Sequence, residues 1–155
     1  TGSMLMIAEF DPVHPERLIS EPECLSRPLY GFENTEHTIN NEGPYAFYYH
    51  NKIYWAYSGG DARGYLYAIG MLTANDGDDL CDLSVWEKAK TPIASFATIP
   101  GEYGPGHNSF FWDRDQNLWI AYHAVTSFEE KIVSSGMRRV YFEQDKTPRF
   151  DVIVE

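Results

Sequence analysis

An acid and an imidazole hold the same position in two matching stretches of this 155-residue chain. Glu42-Gly43-Pro44-Tyr45-Ala46-Phe47 runs into Ile53-Tyr54-Trp55-Ala56-Tyr57-Ser58, and His107-Asn108-Ser109-Phe110-Phe111-Trp112 runs into Leu118-Trp119-Ile120-Ala121-Tyr122-His123, at a constant offset of 65. A carboxyl can give or take a proton at a reacting bond, and an imidazole can do the same or bind a metal. Both lie among small, conformationally special residues: Gly43-Pro44 follows the acid and Gly104-Pro105-Gly106 precedes the imidazole. Such approaches can hold one side chain at the mouth of a channel. By residue type alone a turn acid is ordinarily solvated and a lone histidine is ordinarily a satisfied structural one.

Other chemistries lack their residues. The chain has no His-Glu-x-x-His, no Gly-x-Ser-x-Gly elbow and no phosphate loop, which removes the metalloprotease, serine-esterase and nucleotide readings. The glycine-rich run Ser58-Gly59-Gly60-Asp61-Ala62-Arg63-Gly64 joins two strands and opens no helix, so it reads as a rim loop. Cys24 and Cys81 are too few for a disulfide framework or a zinc cluster and read as reduced thiols. A net charge of −11 argues against nucleic acid or an anionic membrane as partner, since both would be repelled. No long apolar run and no basic-then-apolar leader occurs, and the compartment stays open between cytoplasm and secretion.

The elements that must position the two groups read as strands. The stretches 46–50 and 52–58 are rich in Tyr, Phe and Trp and are split by a polar His50-Asn51 turn, and Asp113 to Asn117 forms the equivalent turn of the second copy. The repeat continues, with Gly70-Met71 answered by Gly136-Met137 and Lys90-Thr91-Pro92 answered by Lys146-Thr147-Pro148. Each unit therefore reads as four strands, the signature of a β-propeller blade. Met4 to Phe10 and Glu16 to Ser20 read as the third and fourth strands of an incomplete unit. One short helix is expected over Asp79 to Lys88, capped by Asp78 or Asp79 with Leu80, Leu83 and Trp86 sharing a face. The expected organisation is a cloning scar at 1–3, the two strands of an incomplete blade at 4–22, a connecting loop at 23–41, a full blade at 42–99 and a last blade at 100–155.

Asn41-Glu42-Gly43-Pro44, the strand Ile53 to Ser58, Gly70-Met71-Leu72-Thr73-Ala74 and Tyr103-Gly104-Pro105-Gly106-His107-Asn108-Ser109-Phe110 together resemble the C-terminal half of family 43 glycoside hydrolases, in the α-L-arabinofuranosidase and β-xylosidase branch. The resemblance implies an all-β fold, a partial five-bladed β-propeller of about two and a half blades of four-stranded antiparallel sheet. It implies inverting hydrolysis of arabinose- or xylose-containing plant polysaccharide or oligosaccharide, with Glu42 as the general acid. Such an acid must keep its proton near neutral pH, which takes burial or a neighbouring carboxylate. His107 matches the family's axial histidine, which often helps to hold a metal, commonly Ca2+, and His107 with Asn108 would contact substrate. One imidazole is a poor start for calcium, which prefers several oxygens.

An inverting glycosidase also needs a base carboxylate about 6.5–9.5 Å from the acid. The resemblance places that Asp, and a further Asp that tunes the acid, on preceding blades, and neither Asp61 nor Asp113 stands in a matching context. This chain alone is then expected to be inactive, with an N-terminal half-propeller chain supplying the base. Two other readings stand beside it: a homo-oligomer joined through open sheet edges, and a non-catalytic carbohydrate-binding or structural propeller fragment.

Overall fold

The computed structural model describes residues 2–127, 129 and 132–151, and these are all-β apart from two short 3-10 turns. β1 (Leu5–Ile7) pairs antiparallel with β2 (Glu23–Ser26), and β3 (Asn34–Thr35) with β4 (Thr38–Ile39). A four-stranded antiparallel sheet follows in chain order: β5 (Asn41–Tyr49), β6 (Lys52–Gly59), β7 (Ala68–Asn75) and β8 (Glu87–Lys88). A second sheet joins β9 (Tyr103–Trp112), β10 (Leu118–Val125) and β11 (Val133–Arg139), and β12 (Tyr141–Phe142) pairs with β13 (Pro148–Arg149).

Turn chemistry sets both long hairpins. His50 and Asn51 both adopt left-handed backbone, with φ of 45° and 62°, the two-residue connection whose twist matches its strands. At the second turn Asp113 accepts hydrogen bonds from the Asp115 and Asn117 amides, the Asn117 side chain and the Trp119 indole. These four donors hold the Asp113 carboxyl at about 2, well below its usual range. Asp61 is likewise a turn acid, accepting from the Arg63 amide.

The two sheets pack face to face over one core. Phe47, Tyr54, Ala56, Ile69 and Met71 of the first meet Phe110, Leu118, Ile120, Tyr122 and Ala124 of the second. Phe47 lies against Tyr54 and Phe110, with ring centroids 4.9 and 4.5 Å apart. The opposite face of the first sheet buries Tyr57 and Leu72 against Leu5, Leu25 and Phe32 of the N-terminal segment. Three layers thus stack in chain order, each sheet apolar on the face it buries.

A tyrosine set against a glycine recurs in each sheet. Tyr57 faces Gly70, and Tyr122 faces Gly136. A Cβ on Gly70 would come within 2.3 Å of the Tyr57 ring, and one on Gly136 within 2.5 Å of Tyr122. Each phenol then reaches a glutamate that is paired with a cation. Tyr57 donates to Glu33 (2.7 Å), which pairs with Lys88 at 2.5 Å, and Tyr122 donates to Glu102 (2.6 Å), which pairs with Arg138 at 2.8 Å.

Several sequence expectations are corrected. The stretch from Asp79 to Lys88 is not a helix: it holds only the 3-10 turn Leu83–Val85 and then β8. Asp79 and Asp82 turn their side chains onto the amides of Cys81 and Ser84, local bonds that compete with a helix, and β8 carries Lys88 to buried Glu33. The edge strand of the first sheet is therefore β8 rather than the run from Lys90, which contributes a single bridge between Ala94 and Ile69. In the second unit β13 pairs with β12, so that sheet has three strands among the described residues. β1 pairs with β2 inside the expected connecting loop, and the segment from Glu16 to Ser20 makes only the bridge Phe10 to Leu18. Ser3 bridges Asn40 and donates to the Asn41 carbonyl. Cys24 and Cys81 are free thiols. The expected last blade includes 128, 130, 131 and 152–155, which lie outside the described residues.

Candidate active site

Glu42 and His107 sit at equivalent irregularities. β5 pairs Glu42 with Ser58 and then Tyr45 with Ala56, and β9 pairs Gly106 with His123 and then Ser109 with Ala121, so each inner strand carries one extra residue. Such bulges re-aim a side chain and occur beside active sites. The left-handed residue is Gly43 in the first copy (φ 56°) and His107 itself in the second (φ 52°). A non-glycine residue held there is strained, and strain of this kind collects at functional positions.

The two bulges meet. A Cβ on Gly43 would lie 3.4 Å from His107 Nδ1, ordinary van der Waals distance, so the imidazole sits directly against the first bulge. The His107 amide donates to Ser58 Oγ at 2.7 Å, and Ser58 is fully buried on β6 opposite Glu42. Tyr67, also fully buried, donates to Glu42 Oε1 at 2.7 Å. Burial pushes the Tyr67 phenol up, Ser58 opposes this and Glu42 adds to it. Gly106 makes room for this ring, since a Cβ there would come within 2.0 Å of it. His123 stacks on Tyr67 (centroids 5.5 Å, 11° between planes) and lies 6.3 Å from the His107 ring. Burial and then His107 hold the His123 imidazole below its usual range, against the Ala62 carbonyl and Glu42.

Glu42 is partly buried and His107 exposed, and the register corrects their expected equivalence by one residue: Gly106 stands at the place of Glu42 and His107 at that of Gly43. Asn108 is 5% exposed, and neither its Oδ1 nor its Nδ2 has a partner, so it lies beneath the site rather than on its surface. Sequence reasoning missed Ser58, Tyr67 and His123. The offset of 65 carries Ser58 onto His123, and that register was the available signal for both. Around His107 the chain offers few metal ligands. Among the described residues, the group of three metal-type side chains within ligand reach of one another is Glu9, Asp79 and Cys81, on a different part of the surface. The donor set at His107 does not by itself fit calcium.

The family model for glycosyl hydrolases family 43 matches residues 5–148. The chain belongs to that family. A family 43 relative, the extracellular exo-alpha-(1->5)-L-arabinofuranosidase of Streptomyces avermitilis, is 28% identical over 161 residues, covering 99% of this chain and 33% of the relative. A protein of the same description from Streptomyces chartreusis is 37% identical over 101 residues, covering 64% of this chain and 30% of that protein. Among solved structures, alpha-L-arabinofuranosidase from Lactobacillus brevis superposes with a TM-score of 0.81 at 28% identity, covering 95% of this chain and 46% of that one. The family 43 chain therefore spans about a third of the length of the curated relatives it matches. Its all-β sheets resemble those of family 43 structures, which are β-propellers.

Proposed function

We propose that this chain supplies the general acid of an inverting glycosidase acting on arabinose- or xylose-containing plant polysaccharide or oligosaccharide, and that Glu42 is that acid. The observation that carries the reading is the setting of Glu42: a bulge aims it, Tyr67 holds one of its oxygens, and among the described residues no cation pairs with it. A carboxyl so placed is free of a counter-cation and can face a leaving oxygen, whereas Glu33 and Glu102 are committed to Lys88 and Arg138. The names of the relatives support the sugar class.

In this reading the sheets are neighbouring blades of a five-bladed propeller, of which the chain contributes about two and a half. Glu42 Oε2 gives its proton to the glycosidic oxygen as the C–O bond breaks. A water attacks the anomeric carbon from the other face and yields its proton to a second carboxylate. Asp61 and Asp113 are engaged in turns, and in this reading the base is supplied from outside this chain. His107 is exposed and can meet the sugar, whereas Asn108 lies beneath it. A calcium ion at His107 would draw most of its oxygens from water and from outside the chain.

The test is Glu42→Gln, assayed in the chain combined with the N-terminal part of a family 43 enzyme. Aryl arabinofuranosides and xylosides of graded leaving-group acidity are the substrates. Turnover of poor leaving groups should fall by about 10²–10⁴-fold while activated ones are largely spared. Equal turnover of all substrates by the variant and the parent would end the assignment. Arabino-oligosaccharide binding without any turnover, by calorimetry, would leave a carbohydrate-binding module in its place.

A further inference from the structure

Three buried tyrosines each donate a hydroxyl proton to a glutamate, and the third pair differs from the other two. Tyr57 reaches Glu33 and Tyr122 reaches Glu102, and both of those carboxylates face a cation. Tyr67 reaches Glu42, which among the described residues has none. Packing does not call for the Tyr67 hydroxyl. The ring fills the space left by Gly106 and stacks on His123, and a phenylalanine would do both.

The hydroxyl lies between Ser58 and Glu42 and bonds the carboxyl. The His107 amide can only donate, so Ser58 Oγ must accept from it (2.7 Å). Ser58 keeps its single hydrogen to offer the neighbouring Tyr67 phenol, whose pKa it lowers, and Tyr67 gives its single hydrogen to Glu42 Oε1 at 2.7 Å. A backbone amide cannot reverse, so Ser58 cannot turn its hydrogen toward His107.

We infer that Tyr67 is a positioning residue that keeps Glu42 Oε1 as a permanent hydrogen-bond acceptor, so that the transferable proton resides on Oε2. This rests on the general-acid reading of Glu42. With an incoming donor at Oε1, that oxygen is the carbonyl oxygen of the protonated acid, and the O–H is left on the oxygen free to face a substrate. When the Oε2–H bond breaks and the proton passes to the leaving oxygen, charge spreads over both carboxylate oxygens. The bond from Tyr67 then becomes charge-assisted and stronger, which favours the transition state over the ground state.

Two spectroscopic measurements on the chain as it stands test this. In proton NMR the Tyr67 hydroxyl should give a slowly exchanging downfield resonance, identified by its loss in Tyr67→Phe, that moves upfield in both Ser58→Ala and Glu42→Gln. At acidic pH, infrared difference spectra against Glu42→Gln isolate the carbonyl stretch of protonated Glu42. That band should rise in frequency in Tyr67→Phe, because its carbonyl loses an accepted hydrogen bond. A hydroxyl that exchanges as fast as those of exposed tyrosines, or a band unmoved by Tyr67→Phe, overturns the inference. Neither readout needs turnover, so their failure is distinct from a failure of the leaving-group test on Glu42→Gln. Where turnover is measured, Tyr67→Phe should lower kcat/KM for poor leaving groups by about 10- to 100-fold and spare activated ones.

Discussion

Glu33 is 0% exposed and accepts from the Tyr30 amide (2.7 Å), the Asn41 side chain (2.9 Å), the Tyr57 hydroxyl (2.7 Å) and Lys88 (2.5 Å). Asn41 is the residue before Glu42, so this network anchors the backbone that carries the candidate acid. Glu33→Gln keeps the shape, removes the counter-charge of Lys88 and turns an amide donor toward the Tyr30 N–H. Breaking a buried pair from one side costs about 3–5 kcal/mol. Lys88 keeps the Arg27 carbonyl at 2.8 Å and the faces of Tyr30 and Tyr57 at 4.9 and 5.4 Å, which puts the cost at the lower end. About 3 kcal/mol corresponds to a fall in Tm of about 6–12 °C for a chain of this size.

The assay is a double-mutant cycle by urea unfolding at pH 7, with Glu33→Gln, Lys88→Met and the double variant. Each single change strands a buried partner and the double change strands none, so the double variant should be more stable than the sum of the singles by about 2 kcal/mol. A coupling below about 0.5 kcal/mol, the range of exposed pairs, would refute the reasoning and make the pair an incidental one.

Gly70→Ala and Gly136→Ala should each cost about 1–3 kcal/mol in denaturant melts, because the new Cβ meets the ring of Tyr57 or Tyr122. Gly31→Ala, with nothing within 4 Å of its Cβ, should change little and serves as the control. The Asp113 carboxyl is depressed from 3.8 to about 2 in the fold, so the stability it contributes is present above pH 3.8 and is lost as pH falls through about 2. Asp113→Asn should flatten the acid limb of a urea-midpoint profile over that window, and an unchanged limb would count against the cap. His107→Gly should not destabilise the chain by thermal melt, since glycine accepts φ 52° without strain and the amide bond to Ser58 is kept.

The strands that carry Glu42 and His107 were legible because aromatic-rich, β-favouring runs separated by polar turns depend only on neighbours in sequence, and their repetition at one offset marked the two copies. β8 was not legible. A two-residue strand ending in Lys88 is specified by Glu33, far away in sequence, while the local Asp, Leu and Trp spacing imitates a helix. The three-stranded second sheet was hidden for a related reason: whether a residue such as Pro148 pairs with β11 or β12 depends on how the chain closes.

Sequence alone determined that an acid and an imidazole lie at the start of matching inner strands, and which family those strand units resemble. Only the tertiary structure decided what surrounds them. Tyr67 reaches Glu42 because Gly106, on another sheet, leaves room for its ring, and Ser58 accepts from the His107 amide because the second bulge packs against β6. A hydrogen bond acts over about 3 Å, and spacing along a chain cannot tell which groups packing will bring that close.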